Sequence, residues 1–192
     1  MRAKFAEDTG RLQNAMRKLD FTIRPATIED TPFLWEMLFE AAAVNDEIRA
    51  MGKEKALALP FIAHILRHFG RKGDFGFVAE TADKILIGAI WARLFPENEK
   101  GYGFVAAEIP ELAIAVAPDF RGRGAGTTLL EELIKEARNL KLPALSLSVD
   151  RRNPALKLYE RLGFADAGVS EETDSSVTMI LRLSEPPAAA GG

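Results

Sequence analysis

Apolar and polar residues alternate most regularly over residues 111–117. Large apolar side chains (Leu112, Ile114, Val116) occupy every second position, and alanines stand between them. This alternation predicts a β-strand with one bulky face and one small face. Three glycines at alternate positions follow, and residues 127–140 then carry apolar side chains with a helical period. The pattern therefore predicts a strand, a glycine-rich turn and a helix in succession.

Shorter periodic segments flank this unit on both sides. Further strands are predicted at residues 21–24, 75–80, 85–93, 144–149, 164–169 and 176–183, with 75–93 forming a hairpin. Further helices are predicted after Thr27, over residues 53–69 and from the Asn153-Pro154 pair, and residues 45–47 are interpreted as an acidic loop. Residues 21–183 are thus expected to form one domain, with a polar extension at 1–20 and a disordered tail at 184–192.

Composition narrows the classes of function. Basic and acidic residues nearly balance, with a net charge of −3, so nothing favours binding to nucleic acid or to an anionic membrane. The chain has no cysteine, which excludes disulfides and thiolate chemistry. No apolar run approaches the ~18 residues that a membrane span needs, and the first residues lack a signal-peptide pattern. A cytoplasmic protein is the expectation.

The glycine-rich turn is a candidate site for a di- or polyphosphate group. A helix N-terminus presents unpaired N–H groups and a partial positive charge, and glycines let a ligand approach them. Arg121 and Arg123 add donors that match phosphate geometry. One alternative is a tight, solvated turn without a ligand. Another is a dinucleotide site. Asp150, at the end of the next strand, favours it, but Thr127 stands where the G-x-G-x-x-G fingerprint needs its third glycine.

His64 and His68 are four residues apart within the predicted helix 53–69, which is the spacing of two metal ligands. No glutamate follows His64, and no third ligand is apparent. Both are therefore interpreted as ordinary histidines, and no metal is expected.

Two segments together resemble a known family. Residues 121–126 read R-G-R-G-A-G, and residues 153–164 read N-P-A-L-K-L-Y-E-R-L-G-F. In this order, about thirty residues apart, they resemble the two cofactor regions of the GNAT superfamily of acyl-CoA-dependent N-acetyltransferases. The resemblance covers about residues 21–183. It implies an α/β (α+β) fold with a mixed, twisted sheet of about six to seven strands and about four flanking helices. The two central parallel strands of this sheet splay apart at one end.

The resemblance also implies acetyl-CoA as the acyl donor. Pantetheine would enter the splay and pair with the strand backbone as an added strand does. The implied cofactor-binding residues are Ile114, Ala115, Val116, Arg121, Gly122, Arg123, Gly124, Ala125, Gly126, Thr127 and Asn153. The alternative for the alanine face is close packing of a helix against the sheet.

The implied reaction is direct transfer of the acetyl group to a neutral amine, which needs a base for the amine and a proton donor for the departing thiolate. Tyr159 is the candidate acid, and the alternative is a core tyrosine with a satisfied hydroxyl. Glu111 and Glu108 are candidate bases at the start of the central strand, and the alternative is solvated glutamates.

The acceptor is an unidentified small molecule or peptide N-terminus. Acidic residues near 46–47 and 97–99 favour a cationic amine, and the resemblance is compatible with a homodimer. A non-catalytic acyl-CoA-binding module and a nucleotide-dependent oxidoreductase are the alternative functions.

Overall fold

The computed structural model describes residues 20–170 and 174–183 of the 192-residue chain. Its strands are β1 (Phe21–Pro25), β2 (Phe75–Thr81), β3 (Leu86–Arg93), β4 (Glu111–Val116), β5 (Ala144–Asp150), β6 (Ala165–Asp166) and β7 (Ser176–Arg182). They form one sheet in the order β1-β2-β3-β4-β5-β7-β6. Neighbouring strands are antiparallel except β4 and β5, which are parallel. The mixed sheet expected from the resemblance is confirmed.

The α-helices in the described residues are α1 (Thr31–Ala42), α2 (Asp46–Met51), α3 (Lys53–Ala58), α4 (Pro60–Ala63), α5 (Ala125–Asn139) and α6 (Leu156–Arg161). Short 3-10 turns stand at Ile28–Asp30, Glu97–Glu99 and Pro118–Phe120. Helix α1 covers one face of the sheet, called the α1 face below, and α5 covers the other, called the α5 face. None of these helices is long and apolar enough to cross a bilayer.

The splay between β4 and β5 is pronounced. One residue pair, Glu111 with Ser146, joins the two strands, and the Ser146 N–H donates to the Pro110 carbonyl at 3.0 Å. Beyond that pair β4 continues to Val116 and β5 to Asp150 without further pairing in the described sheet. The predicted opening between the central parallel strands is therefore present, and it leaves one edge of β4 unpaired.

The two faces of β4 pack as the alternation predicted. Leu112, Ile114 and Val116 belong to the core on the α5 face, where α5 contributes Leu129, Leu133 and Ala137 among others. The alanines 113, 115 and 117 lie on the α1 face with Leu34 and Trp91. The small residues thus let α1 approach the sheet closely, as in the helix-packing interpretation.

Two predictions between residues 45 and 69 are wrong. Residues 45–47 start helix α2, because the Asn45 side chain accepts hydrogen bonds from the N–H groups of Glu47 (2.9 Å) and Ile48 (3.2 Å). The single helix expected over 53–69 is interrupted at Pro60, which disfavours helical geometry at the residue before it. Leu59 accordingly has φ −66° and ψ 124°, and α4 begins anew at Pro60.

The C-terminal predictions also need correction. The strand expected over 164–169 is only the two-residue β6, paired with β7 at Ile180 and Met179. Asn153 does not directly precede the helix: its Oδ1 accepts from the Ala155 N–H at 2.9 Å, and α6 begins at Leu156. An Asx turn thus comes before the helix. The predictions for residues 1–19 and 184–192 lie outside the described residues.

Candidate active site

The glycine-rich turn sits at the N-terminus of the fifteen-residue helix α5. Gly122 and Gly124 have φ values of 73° and 92°, in the left-handed region that side chains rarely adopt. A Cβ added at either position would meet no heavy atom within 4 Å, so the turn faces open space. The first N–H groups of α5, at Ala125, Gly126 and Thr127, have no partner within the helix. The turn therefore offers an electropositive, accessible surface that fits pyrophosphate.

The two arginines of this turn are partly engaged by the protein. Arg121 donates from Nε to the Val116 carbonyl at 2.9 Å, and its Nη2 forms a 2.7 Å ion pair with Glu40 of α1. Arg123 stands over the Phe120 ring, 6.0 Å from its centroid. Arg121 thus fastens the turn to β4 and α1, and a phosphate would compete with Glu40 for its guanidinium.

The unpaired edge of β4 carries the three predicted backbone positions. Ile114, Ala115 and Val116 pair on their other edge with residues of β3. Toward β5 they lie beyond the Glu111–Ser146 pair, so their backbone is available to an extended ligand. The glycine turn follows the same strand, which gives one continuous path from the splay to the helix N-terminus.

Glu111 lies where β4 and β5 meet, and it is 8% exposed. One carboxylate oxygen, Oε1, accepts from the Gly103 N–H at 2.8 Å, and Oε2 is buried without a partner among the described residues. Burial raises the pKa of Glu111 to about 7, and the Gly103 hydrogen bond only partly offsets this. A carboxylate with that proton affinity is suited to accept a proton near neutral pH.

Glu108, the other candidate base, is exposed in the turn that precedes β4. The structure therefore separates two glutamates that the sequence could not distinguish. Trp91 on β3 pairs in register with Ala113 on β4. It is therefore a diagonal neighbour of Glu111, which lies two residues before Ala113. Its indole N–H is also buried without a hydrogen-bond partner in the described part of the chain. An unpaired donor and an unpaired acceptor thus share the α1 face beside the splay.

Tyr159 of α6 is 7% exposed and packs edge-on against Phe164, with ring centroids 5.9 Å apart. Burial raises the pKa of Tyr159 to about 12, so its hydroxyl keeps its proton. Asn153 lies three residues before α6 and shapes the entry to that helix, as described above. Asp150, the residue behind the dinucleotide alternative, is ion-paired with Arg152 at 2.9 Å, and this partner lowers the pKa of Asp150 to about 2.

A groove of about 420 Å³ opens beside Tyr102, in the turn that contacts Glu111. It is lined by residues of the β3–β4 connection and of the β6–β7 hairpin: Glu97, Lys100, Tyr102, Phe104, Val105, Val169, Ser170, Asp174, Ser176 and Thr178. Tyr102 stands between Gly101 and Gly103, and its exposed ring packs edge-on against exposed Phe61 at 6.3 Å. The groove therefore adjoins the turn that covers Glu111.

Sequence reasoning did not identify Gly101, Gly103 or Thr178. The available signal was a pair of glycines, Gly101 and Gly103, in the polar connection before β4. His64 and His68 lie beyond the end of α4, and His68 has φ 59°, so the helical spacing between them is lost. Within residues 20–170 and 174–183, no group of three or more His, Asp or Glu side chains is placed to hold a metal ion.

Comparison with known proteins gives consistent matches. Residues 35–164 match the model of the acetyltransferase (GNAT) family. An uncharacterized N-acetyltransferase of Methanocaldococcus jannaschii is 30% identical over 85% of this chain and 71% of its own length. The structure of a ribosomal-protein-alanine N-acetyltransferase from Brucella melitensis is 29% identical, with a TM-score of 0.62 over 84% of this chain and 99% of that one.

The PaiA N-acetyltransferase of Thermoplasma acidophilum, solved in complex with coenzyme A, has the same fold. It is 24% identical, with a TM-score of 0.56, and the match covers 85% of this chain and 99% of that one. The splay and the glycine turn described above are the features of this chain that fit such a ligand.

Proposed function

Because this chain belongs to the GNAT family of acetyl-CoA-dependent N-acetyltransferases, we propose that its acceptor is the α-amino group at a peptide N-terminus. Acetyl-CoA is the donor, and an amine-bearing molecule is the acceptor. The observation that carries the proposal is the position of Glu111, a buried carboxylate where β4 and β5 begin to diverge, whose Oε2 has no hydrogen-bond partner among the described residues and whose covering turn also lines an open groove.

The glycine turn and the free edge of β4 bind the donor. The N–H groups at the start of α5 receive the pyrophosphate, and the edge beyond Glu111 pairs with the pantetheine amides. Arg121 and Arg123 contribute at the rim of this site, where screening by salt limits their effect. The acetyl group then lies in the splay next to Glu111.

Glu111 acts as the base, because it is the buried glutamate of the two candidates and its pKa is about 7. Its unpartnered Oε2 takes a proton from the acceptor ammonium, which leaves a neutral amine to attack the acetyl carbon. Tyr159 acts as the acid and protonates the departing thiolate, because its hydroxyl stays protonated at neutral pH, and the proton that the attacking nitrogen loses as the amide forms returns to the Tyr159 oxygen. At neutral pH about half of Glu111 is thus ionised and able to accept a proton, and Tyr159 retains the proton that it donates.

The shape and chemistry of the groove support a peptide acceptor. Its walls combine acidic Glu97 and Asp174 and basic Lys100 with apolar Phe104, Val105 and Val169 and with polar Ser170 and Ser176. The exposed Phe61–Tyr102 pair extends an apolar surface beyond it. A polycation would meet basic Lys100 among these mostly polar walls, whereas the backbone amides of a peptide can pair with the polar groups while its terminal ammonium reaches the carboxylate side. The Brucella relative named as acting on a ribosomal protein's alanine is consistent with this class.

An acceptor panel tests the proposal. Free thiol would be followed with acetyl-CoA and equal concentrations of short peptides beginning with alanine, the same peptides with a blocked N-terminus and an internal lysine, spermidine, and an aminoglycoside. We expect the free-N-terminus peptides to have the highest kcat/KM and the blocked peptides to be inert. Faster turnover of spermidine, of the aminoglycoside or of the lysine side chain would overturn the peptide proposal.

A further inference from the structure

The connection between β3 and β4 makes an unusual pair of contacts with Glu111. The Gly103 N–H donates to Oε1 at 2.8 Å, and the Gly101 Cα lies so close to Oε2 that an added Cβ would collide with it. One short turn therefore touches both oxygens of the carboxylate. These contacts are made by backbone atoms, and a side chain at residue 101 would displace the Glu111 carboxylate from its present position.

The same turn is also pressed against β5. A Cβ added at Gly103 would lie 2.5 Å from the Leu147 carbonyl carbon and 2.7 Å from the Ser148 nitrogen. These positions come directly after Ser146, the last residue of β5 that pairs with β4. The turn thus closes the narrow end of the splay, between the donor path and the groove.

Side chains of the groove fasten the turn in this position. Thr178 on β7 donates from Oγ1 to the Tyr102 carbonyl at 3.3 Å, and the Ser170 hydroxyl donates to Thr178 Oγ1 at 3.2 Å. Thr178 is buried, and both residues line the groove. An acceptor that enters the groove therefore meets the groups that hold the turn closed.

We propose that residues 101–103 form a positioning lid for Glu111, which holds Oε1, keeps water away from Oε2, and moves aside when an acceptor amine arrives. The proposal rests on the proposed role of Glu111 as the base. In the closed position Oε2 is covered by Gly101, so proton transfer from an acceptor requires the lid to shift. After the shift, the acceptor nitrogen takes the place of Gly101 against Oε2.

The surroundings of Glu111 leave the lid as the main control on its proton affinity. On β3 its register partner is Arg93, but that guanidinium is paired with buried Asp74 at 3.1 Å and with carbonyls of residues 64–68. On β5 the facing residue is Ser146, which carries no charge. Tyr102 is the titratable residue of the lid. Its pKa is raised mainly by burial and to a smaller extent by the charge of Glu111. Removing the lid would hydrate the carboxylate and lower the pKa of Glu111.

Three variants separate the lid from the rest of the site. Gly103→Ala places a Cβ against the rigid backbone of β5 and should lift the lid, and Gly101→Ala places one against the carboxylate itself. Thr178→Val removes the hydroxyl that holds the Tyr102 carbonyl without adding bulk. Asn98→Ala, an exposed residue earlier in the same connection, is the matched control.

The carboxyl carbon of Glu111 would be titrated by NMR in each folded protein, with its resonance assigned through Glu111→Gln. We expect its midpoint near pH 7 in the wild type and in Asn98→Ala, lower by about one to two pH units in the two glycine variants, and lower by a smaller amount in Thr178→Val. The acidic limb of kcat/KM against pH should move with it. An unchanged midpoint in folded Gly103→Ala and Thr178→Val would overturn the lid.

These measurements distinguish failure of the lid from failure of Glu111 as the base. If Glu111→Gln retained full turnover while the midpoint still moved in the lid variants, Glu111 would not be the base, and the lid would still control its ionisation. If Glu111→Gln were inactive while the midpoint stayed fixed, the base would stand and the lid would be excluded.

Discussion

Two glycine turns border the splay, and they use glycine for opposite reasons. On the donor side Gly122 and Gly124 have positive φ, and a Cβ on either would point into open space. On the acceptor side a Cβ at Gly101 or Gly103 would collide with the Glu111 carboxylate or with β5. The first turn needs the conformational freedom of glycine to expose N–H groups to a ligand. The second needs the absent side chain so that backbone atoms can cover a carboxylate.

This difference has a functional consequence. The proposed donor turn faces open space, so its interactions with pyrophosphate would be made when the ligand binds. The proposed acceptor turn is already packed against Glu111 and β5, so it would set the chemistry of Glu111 before any acceptor arrives. Variants of Glu111 and its turn should therefore affect the chemistry, and variants of the donor turn should affect the binding of acetyl-CoA.

Glu111→Gln should lower kcat by roughly 10³-fold, because a positioned base typically contributes about 10²–10⁴-fold. The amide keeps the size of the side chain and can still accept from the Gly103 N–H, so acetyl-CoA affinity should stay near the wild-type value. Steady-state kinetics and calorimetric binding of acetyl-CoA check this. Glu108→Gln is the matched control, because Glu108 is exposed and should tolerate the change. A loss of activity in the Glu108 variant alone would reverse the assignment of the base.

The stability of this variant relative to the wild type should depend on pH in a defined direction. The pKa of Glu111 is about 7 in the folded protein and 4.5 in its ordinary state, so folding favours the protonated acid. The stability that this provides is fully present below about pH 4.5 and is lost as the pH rises through about 7. Glu111→Gln should therefore be more stable than the wild type by roughly 3 kcal/mol near pH 8, with the difference shrinking toward pH 5.

Urea unfolding of both proteins across this pH range measures the difference. Glu108→Gln, at an exposed glutamate three residues away, is the control for the substitution itself. A constant difference between Glu111→Gln and the wild type at all pH values would mean that the lid does not exclude water from the carboxylate.

Tyr159→Phe should lower turnover by about 10²-fold, the low end for a positioned proton donor, because a thiolate is already a good leaving group. The aromatic ring stays packed against Phe164, so stability should change little. Acetyl-CoA affinity should be unchanged. Turnover and affinity would be measured at a temperature at which both proteins are folded. Undiminished turnover would leave Tyr159 as a core residue.

Gly124→Val should remove most of the thermal stabilisation by acetyl-CoA. A ligand present at about 100 times its Kd stabilises the native state by about 2.7 kcal/mol, and a side chain at the turn would occupy the space for pyrophosphate. Gly52→Val is a close control, since Gly52 has φ 85° and an added Cβ there also meets nothing within 4 Å. Both variants should lose intrinsic stability, but only Gly124→Val should lose the response to acetyl-CoA in a thermal shift assay.

Arg121→Ala should have the smallest effect. Its guanidinium is half-exposed and already paired with Glu40, so its net contribution to donor binding should be below about 1 kcal/mol. The loss should be larger at low ionic strength, because salt screens exposed charges. Acetyl-CoA titrations at two salt concentrations would measure it. An effect as large as that of Gly124→Val would mean that Arg121 releases Glu40 to hold the phosphate.

The sequence by itself determined the family, the donor and the central strand, turn and helix. Those features depend on local rules: alternation over residues 111–117, a helical period after Gly126, and two short motifs. It failed where local signals compete, as at Pro60, which divides an otherwise continuous helical pattern, and at Asn45, which caps a helix in a segment interpreted as a loop. There the sequence contained the deciding residue, but its effect was not recognised.

Only the tertiary structure decided which glutamate is buried and what covers it. Glu108 and Glu111 are three residues apart and chemically identical, and the difference between them arises from a turn eight residues upstream of Glu111 and from a strand more than thirty residues downstream. Burial depends on packing between segments that are distant in the chain, so periodicity cannot report it. The sequence could place a carboxylate at the start of β4. Its proton affinity follows from the contacts that folding brings together.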